Sequence, residues 1–173
     1  MIDTIYIEKM IEDHPRTKKL ISRFKRSDKI YIDRYTEVFN KRNQNFRLQK
    51  TNPALILAHK YKGHVLPTPD GFGIGNSRNY YFSHMYNCVY DCRYCFLQGM
   101  YSSANYVLFV NFEDFNRRIS DLIKEFAYEE LTFFSGYDCD SLALENITGF
   151  VSQILPFFLK HPSALLEIRT KSI

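Results

Sequence analysis

The sequence predicts an α/β protein: a small, basic α+β lobe over residues 1–66, a Pro/Gly-rich connector over 67–78, and a parallel-sheet region over 79–173. Three observations carry the prediction. From Asn79 onward, short β-prone runs alternate with longer segments of helical apolar period, the sequence form of strand–helix–strand units. Ahead of that region Pro67, Pro69, Gly71, Gly73 and Gly75 crowd together and mark a break. Composition is that of a globular protein, 45% hydrophobic and 24% charged over 173 residues, which is long enough to bury a core.

The elements follow in order. Glu8 to Phe24 has a helical pattern broken at Pro15, and Lys29 to Arg34 alternates Ile30 and Ile32 with polar neighbours, as a strand does. Gly71-Phe-Gly-Ile-Gly75 resembles a nucleotide loop only superficially. It precedes a strand instead of following one, and its third glycine falls one residue early, so a turn is the better reading. Asn79 to Met85 is an aromatic strand, and Tyr106 to Val110 a further short extended run. Phe112, Phe115, Ile119, Leu122, Ile123 and Phe126 share one helical face, with Asn111 as N-cap and Glu113 and Asp114 in the first turn. Leu131 to Phe134 reads as a buried strand ending at Ser135-Gly136. A second helix carries Leu144, Ile147, Val151, Ile154, Leu155 and Phe158 inward, with Asp140 as its cap and Pro162 as its stop. Ala164 to Arg169 closes the series as a strand. Such a series folds with right-handed crossovers into a parallel sheet, and ligands gather at the carboxyl ends of its strands. Cys88–Cys95, Ser135–Cys139 and Thr170–Lys171 all fall at those ends.

Charge is uneven. Residues 1–66 hold 15 Lys/Arg against 7 Asp/Glu, a net +8, whereas residues 67–173 hold 8 against 12, a net −4. A basic first lobe suits an anionic partner, nucleic acid first among them, or is simply a solvated lysine-rich face. No apolar run reaches the length of a bilayer span, and the N-terminus lacks the build of a signal peptide, so no membrane association and a cytoplasmic location are expected. Thiols stay reduced there, which favours metal-binding or catalytic cysteines over disulfides.

Three of the four cysteines lie in Cys88-Val-Tyr-Asp-Cys92-Arg-Tyr-Cys95, at C-x3-C-x2-C, and the fourth is Cys139. Zinc with Cys139 as fourth ligand is one reading, although structural zinc usually takes two pairs of ligands and no partner pair is present. A Cys92/Cys95 redox dithiol is another, which leaves Cys88 unexplained. A 4Fe–4S cluster held by three thiolates uses all three, and its fourth iron stays open for a ligand.

The triad, with an aromatic residue before its last cysteine, resembles the signature of the radical S-adenosylmethionine (SAM) enzymes. Asn87-Cys88-Val-Tyr-Asp-Cys92-Arg-Tyr-Cys95-Phe-Leu-Gln98, Phe134-Ser-Gly-Tyr-Asp-Cys-Asp-Ser-Leu-Ala-Leu-Glu145 and Glu167-Ile-Arg-Thr-Lys-Ser172 together resemble the spore photoproduct lyase family of DNA-repair enzymes. The likeness covers most of residues 50–173. It implies the first half of a partial (β/α)6 radical SAM barrel, with Cys88, Cys92 and Cys95 as ligands of a 4Fe–4S cluster whose open iron chelates SAM. One electron from the reduced cluster then cleaves SAM to a 5′-deoxyadenosyl radical, which abstracts hydrogen from a thymine-dimer-like lesion. Further implied roles are Tyr94 beside the adenine, Ser135 and Gly136 at the SAM amino group, and Lys171 at its carboxylate. Arg93 either faces the cluster's charge or is a solvated side chain. Damaged DNA and a low-potential electron donor such as flavodoxin or ferredoxin are the implied partners.

Two departures stand out. Family members carry a cysteine after the second strand that returns a hydrogen atom to the thymine radical; Tyr137 occupies that position here, and Cys139 lies two residues later. Either residue could act as the catalytic hydrogen donor, or neither. Residues 79–173 also supply only about three βα units at roughly 30 residues each, where the family barrel has six. A truncated or split product is therefore expected, one that needs a second polypeptide to complete the barrel. The alternative is a catalytically incomplete fragment acting as a nucleic-acid-binding module through its basic lobe.

Overall fold

The computed structural model describes residues 2–75, 78–90 and 92–172; Asn76 and Ser77 of the connector and Asp91 of the cysteine loop lie outside the described residues. Two compact units result, one formed by residues 1–59 and 85–110, the other by 60–84 and 111–173. The connector expected at 67–78 thus lies inside the second unit, and residues 85–110 join the first lobe.

The first unit is a five-stranded sheet ordered β2-β1-β3-β7-β6, with β1 Thr4–Glu8, β2 Asp28–Ile32, β3 Leu55–Ala58, β6 Met85–Tyr86 and β7 Tyr106–Phe109. β2, β1, β3 and β7 run parallel, and β6 pairs antiparallel with β7. The sheet carries helices α1 Pro15–Arg23, α2 Phe46–Thr51 and α3 Leu97–Met100. The helix expected over Glu8–Phe24 is shorter. β1 runs through Glu8, a 3-10 turn covers Lys9–Ile11, and α1 begins at Pro15. Pro15 starts this helix instead of breaking it, because the first helical position needs no N–H and suits proline's fixed φ. The His14 side chain caps it by accepting from the Arg16 amide. β3 is buried at all four residues between β1 and β7, so it reads as an apolar run with no alternation.

The second unit is a four-stranded sheet ordered β4-β5-β8-β9, with β4 Leu66–Pro67, β5 Arg78–Phe82, β8 Leu131–Ser135 and β9 Ala164–Ile168. β5, β8 and β9 are parallel, in the order the sequence predicts, while β4 pairs antiparallel with β5. Helices α4 Phe112–Glu125, α5 Glu145–Thr148 and α6 Phe150–Phe158 belong to it. α4 buries Phe112, Phe115, Ile119 and Leu122, the face predicted from spacing, and each such side chain contributes about 1.5–3 kcal/mol. The second predicted helix is divided at Gly149, which adopts φ 60° between α5 and α6. Ile154 and Phe158 point inward, but Leu155 is exposed.

Candidate functional site

The cysteine loop leaves β6 in the first unit. Asn87 sets its entry: the residue has φ 65°, a left-handed conformation that asparagine tolerates. Its buried amide donates to the Ser103 and Asn105 carbonyls at 2.7 Å each. Cys88, Cys92 and Cys95 are half-buried and all are free thiols. The Tyr90 amide donates to Cys88 Sγ at 3.4 Å, a contact that favours thiolate character. Tight turns close the loop, with the Cys95 amide on the Cys92 carbonyl at 2.9 Å and the Gln98 amide on the Cys95 carbonyl at 3.1 Å. A small pocket beside Cys88 is lined by Lys50, Asn87, Tyr90, Gln98 and Tyr106 among others, and Lys50 Nζ donates to Gln98 Oε1 at 2.9 Å. Burial, and then the neighbouring Cys88 charge, raise the Tyr106 phenol above its ordinary pKa. Tyr94 is 78% exposed, so its ring belongs to no core, and Arg93 is exposed as well. The donor set suits an iron–sulfur cluster: three thiols in eight residues, none in a disulfide and one of them accepting an amide hydrogen bond. It is not a preformed cage, because among the described residues no group of three or more His, Cys, Asp or Glu side chains converges as a metal site.

The second unit gathers the other predicted residues at the carboxyl ends of β5, β8 and β9. Ser135 is buried, its hydroxyl paired with Ser141 Oγ at 2.7 Å and donating to the Glu167 carbonyl at 3.1 Å. Gly136 has φ 72°, and a Cβ there would collide with the Ser141 hydroxyl and lie 3.0 Å from the Cys139 carbonyl. Glycine is therefore required twice over, by backbone angle and by space. Asp140 caps no helix, contrary to expectation. Its carboxylate accepts from the Leu142 and Ala143 amides at 2.9 Å each, from Thr170 Oγ1 at 2.8 Å, and from the Lys171 amide. It ties the segment beyond β9, and with it Lys171, to the loop beyond β8. Asn111 occupies the expected cap position of α4, but its side chain accepts from no helix amide: Oδ1 accepts from the Lys60 amide at 2.8 Å, and Nδ2 donates to the Lys60 carbonyl at 3.0 Å and to Asp114 Oδ2 at 2.7 Å.

Tyr137 and Cys139 leave the same loop toward different neighbours. The Tyr137 ring lies 4.3 Å from that of Tyr81, tilted by 32°. Cys139 is buried with its Sγ 3.9 Å from His84 Nδ1. The His84 ring lies flat on Phe150, 3.8 Å away and within 2° of parallel. Burial, and then the Lys60 charge, hold the imidazole down to about 3, so it is neutral at physiological pH. Lys60 is 5% exposed; burial lowers its ammonium to about 8, while Asp138 and Cys139 nearby oppose that shift. Sequence reasoning missed Lys60, His84 and Tyr81. His84 had a usable signal, a histidine near the end of the aromatic strand predicted over Asn79–Met85, but Lys60 in a Lys-Tyr-Lys run had none.

The family model of spore photoproduct lyase matches residues 1–172. Among solved structures, a spore photoproduct lyase mutant with bound AdoMet and dinucleoside spore photoproduct is similar over 96% of this chain and 48% of its own, with a TM-score of 0.80 at 17% identity. A second mutant of that enzyme is similar over 99% of this chain and 50% of its own, with a TM-score of 0.82 at 18% identity. A third structure, the lyase complexed with dinucleoside spore photoproduct, gives a TM-score of 0.78 at 17% identity, over 96% of this chain and 48% of its own. The fold is thus that of these proteins, and the chain spans about half their length. No curated protein matches the sequence.

Proposed function

The chain belongs to the spore photoproduct lyase family, and from that premise we propose that it is the cluster-bearing part of a radical SAM lyase that repairs a thymine lesion in DNA. The single observation that carries the proposal is the set of three free thiols, Cys88, Cys92 and Cys95, on one short loop. These residues would hold a 4Fe–4S cluster. When bound, cluster and SAM supply a 5′-deoxyadenosyl radical, the reagent for removing hydrogen from an unactivated carbon.

This chain's own residues position and shield. Asn87 fixes the entry angle of the cysteine loop, and the Tyr90 amide stabilises negative charge on Cys88. Ser135 and Gly136 offer backbone carbonyls at a strand end for the SAM amino group. Lys171, anchored through its amide to Asp140, offers an ammonium to the carboxylate. The exposed Tyr94 ring suits stacking on a planar base. A hydrogen-returning residue is drawn from the Tyr137–Cys139 loop. The substrate class is supported by solved relatives that hold dinucleoside spore photoproduct. The chain spans about half the length of those relatives. A flavodoxin or ferredoxin in the cytoplasm would supply electrons. Among the described residues no helix is long and apolar enough to cross a membrane.

Anaerobic reconstitution with iron and sulfide is expected to give a brown protein that, once reduced, cleaves SAM to 5′-deoxyadenosine. Cys92→Ala is expected to lose both colour and cleavage. A colourless wild type that retains zinc would sink the proposal.

A further inference from the structure

We propose that Tyr137 and Tyr81 form the hydrogen-returning pair of this protein and that Cys139 is a packed core thiol. This assignment rests on the radical SAM reading and decides between the two residues which that reading leaves open.

The argument is one of sidedness. Along β5, alternate side chains point to opposite faces of the sheet. Phe82 meets Phe115 of α4 and Phe150 of α6, with ring centroids at 6.1 and 5.9 Å. Tyr80 stacks on Phe133 at 5.5 Å, and Phe133 in turn meets Phe158 of α6 at 5.7 Å. Tyr80 and Phe82 therefore face the helices, and Tyr81 between them faces the other way. The Tyr137 ring joins Tyr81 on that face, where Arg169 also lies over the Phe134 ring at 4.4 Å. Cys139 goes to the helix side. Its neighbour His84 is clamped flat against Phe150 and edge-on to Phe112 at 6.1 Å. A thiol held among the first turns of α4 and α6 is shielded from a ligand on the Tyr81 face.

Phenol is a competent hydrogen-atom donor only while it keeps its proton. Burial, and then the charges of Asp138 and Tyr137, raise the Tyr81 phenol above its ordinary pKa, which keeps the proton in place. The Tyr137 O–H bond breaks homolytically as a C–H bond forms on the substrate radical, and Tyr137 is oxidised to a neutral phenoxyl. The Tyr81 phenol then gives its hydrogen atom to the Tyr137 oxygen, which moves the radical to Tyr81. One electron from the low-potential donor and one proton from water restore Tyr81.

The test gives reconstituted protein SAM, a one-electron reductant and dinucleoside spore photoproduct, counts 5′-deoxyadenosine and repaired dinucleoside, and reads frozen samples by electron paramagnetic resonance. The wild type is expected to show a tyrosyl signal that narrows when ring-deuterated tyrosine is incorporated. Tyr137→Phe is expected to lose that signal and at least about tenfold of repair per SAM cleaved. Tyr81→Phe is expected to keep a tyrosyl signal with altered hyperfine splitting. Repair without a tyrosyl signal, or coupling kept in Tyr137→Phe and lost in Cys139→Ala, would overturn the assignment. A wild type that makes no 5′-deoxyadenosine overturns the cofactor reading instead. An independent readout uses the apo chain. Azide radicals are expected to join Tyr81 and Tyr137 through a ring carbon–carbon bond, with two electrons and two protons passing to the oxidant. Dityrosine mapped by mass spectrometry to other pairs alone would count against the pairing.

Discussion

Lys60 shows how a single buried charge leaves a signature in pH. Burial lowers its pKa to about 8 in the folded chain, against an ordinary lysine value of 10.5. Below pH 8 both states carry the proton and the folded state bears the full desolvation penalty. Between about 8 and 10.5 the unfolded state binds more protons than the folded, so stability rises with pH, by about 3 kcal/mol in all. Urea midpoints measured from pH 7.5 to 10.5 are expected to climb in the wild type, and the Lys60 share of that climb is expected to vanish in Lys60→Met. A Lys60→Met profile that parallels the wild type over this window would refute the buried ammonium. Gly136→Ala is a second residue-scale prediction. It forces a side chain into φ 72° and against the Ser141 hydroxyl, at a cost of at least about 1–2 kcal/mol, visible as a lowered Tm. The two positions differ in legibility. The cysteine triad announces itself because its three cysteines lie within eight residues of sequence. The burial of Lys60 depends on Asn111, Asp138 and Cys139, which lie 51 or more residues away, so no local pattern reveals it.

Among elements, α4 and the strands β5, β8 and β9 were readable for a physical reason. α4 is 14 residues long and repeats its apolar face four times, and β8 sits between turn residues on either side. β1 and β3 were not readable: at five and four residues they are too short to establish a period, and β3 is buried on both faces. Proline and glycine misled in opposite ways. Pro15 opens α1 where a break was expected, and Gly149 divides α5 from α6 where one helix was expected. The start of α4 yields a prediction at this scale, because Asn111 spends its side chain on both backbone groups of Lys60. Asn111→Ala removes two buried hydrogen bonds and leaves the buried Lys60 N–H to find another partner, while the Lys60 carbonyl keeps His64 Nε2 at 2.7 Å, so the cost is about 1–3 kcal/mol. The expected result is a lower urea midpoint at unchanged m-value, together with faster hydrogen exchange at the Lys60 amide. An unchanged exchange rate would show that the segment after β3 is held some other way.

For the whole molecule, charge is more informative than shape. The first 66 residues carry a net +8, and part of that excess is ordered on one short stretch. α1 buries Thr17 and Leu20 while Lys18, Lys19 and Arg23 stay exposed, and Lys25 and Arg26 follow, also exposed. Lys18 pairs with Asp13 at 2.8 Å, but an exposed pair of this kind is weak and yields readily to a phosphate. Five exposed cations along one helix and its following turn form a basic stripe of the kind that contacts a nucleic-acid backbone. If they neutralise phosphates, the affinity of the chain for duplex DNA falls with a log–log salt slope of about −4, a loss of a few hundredfold between 50 and 200 mM salt. Reversing Lys18, Lys19 and Arg23 to Glu removes three of those contacts. The slope is then expected to shrink by about 3 units, and low-salt affinity to drop by more than about tenfold. A slope that stays the same in the triple variant would reduce the basic lobe to a solvated face and move the DNA contact elsewhere in the protein.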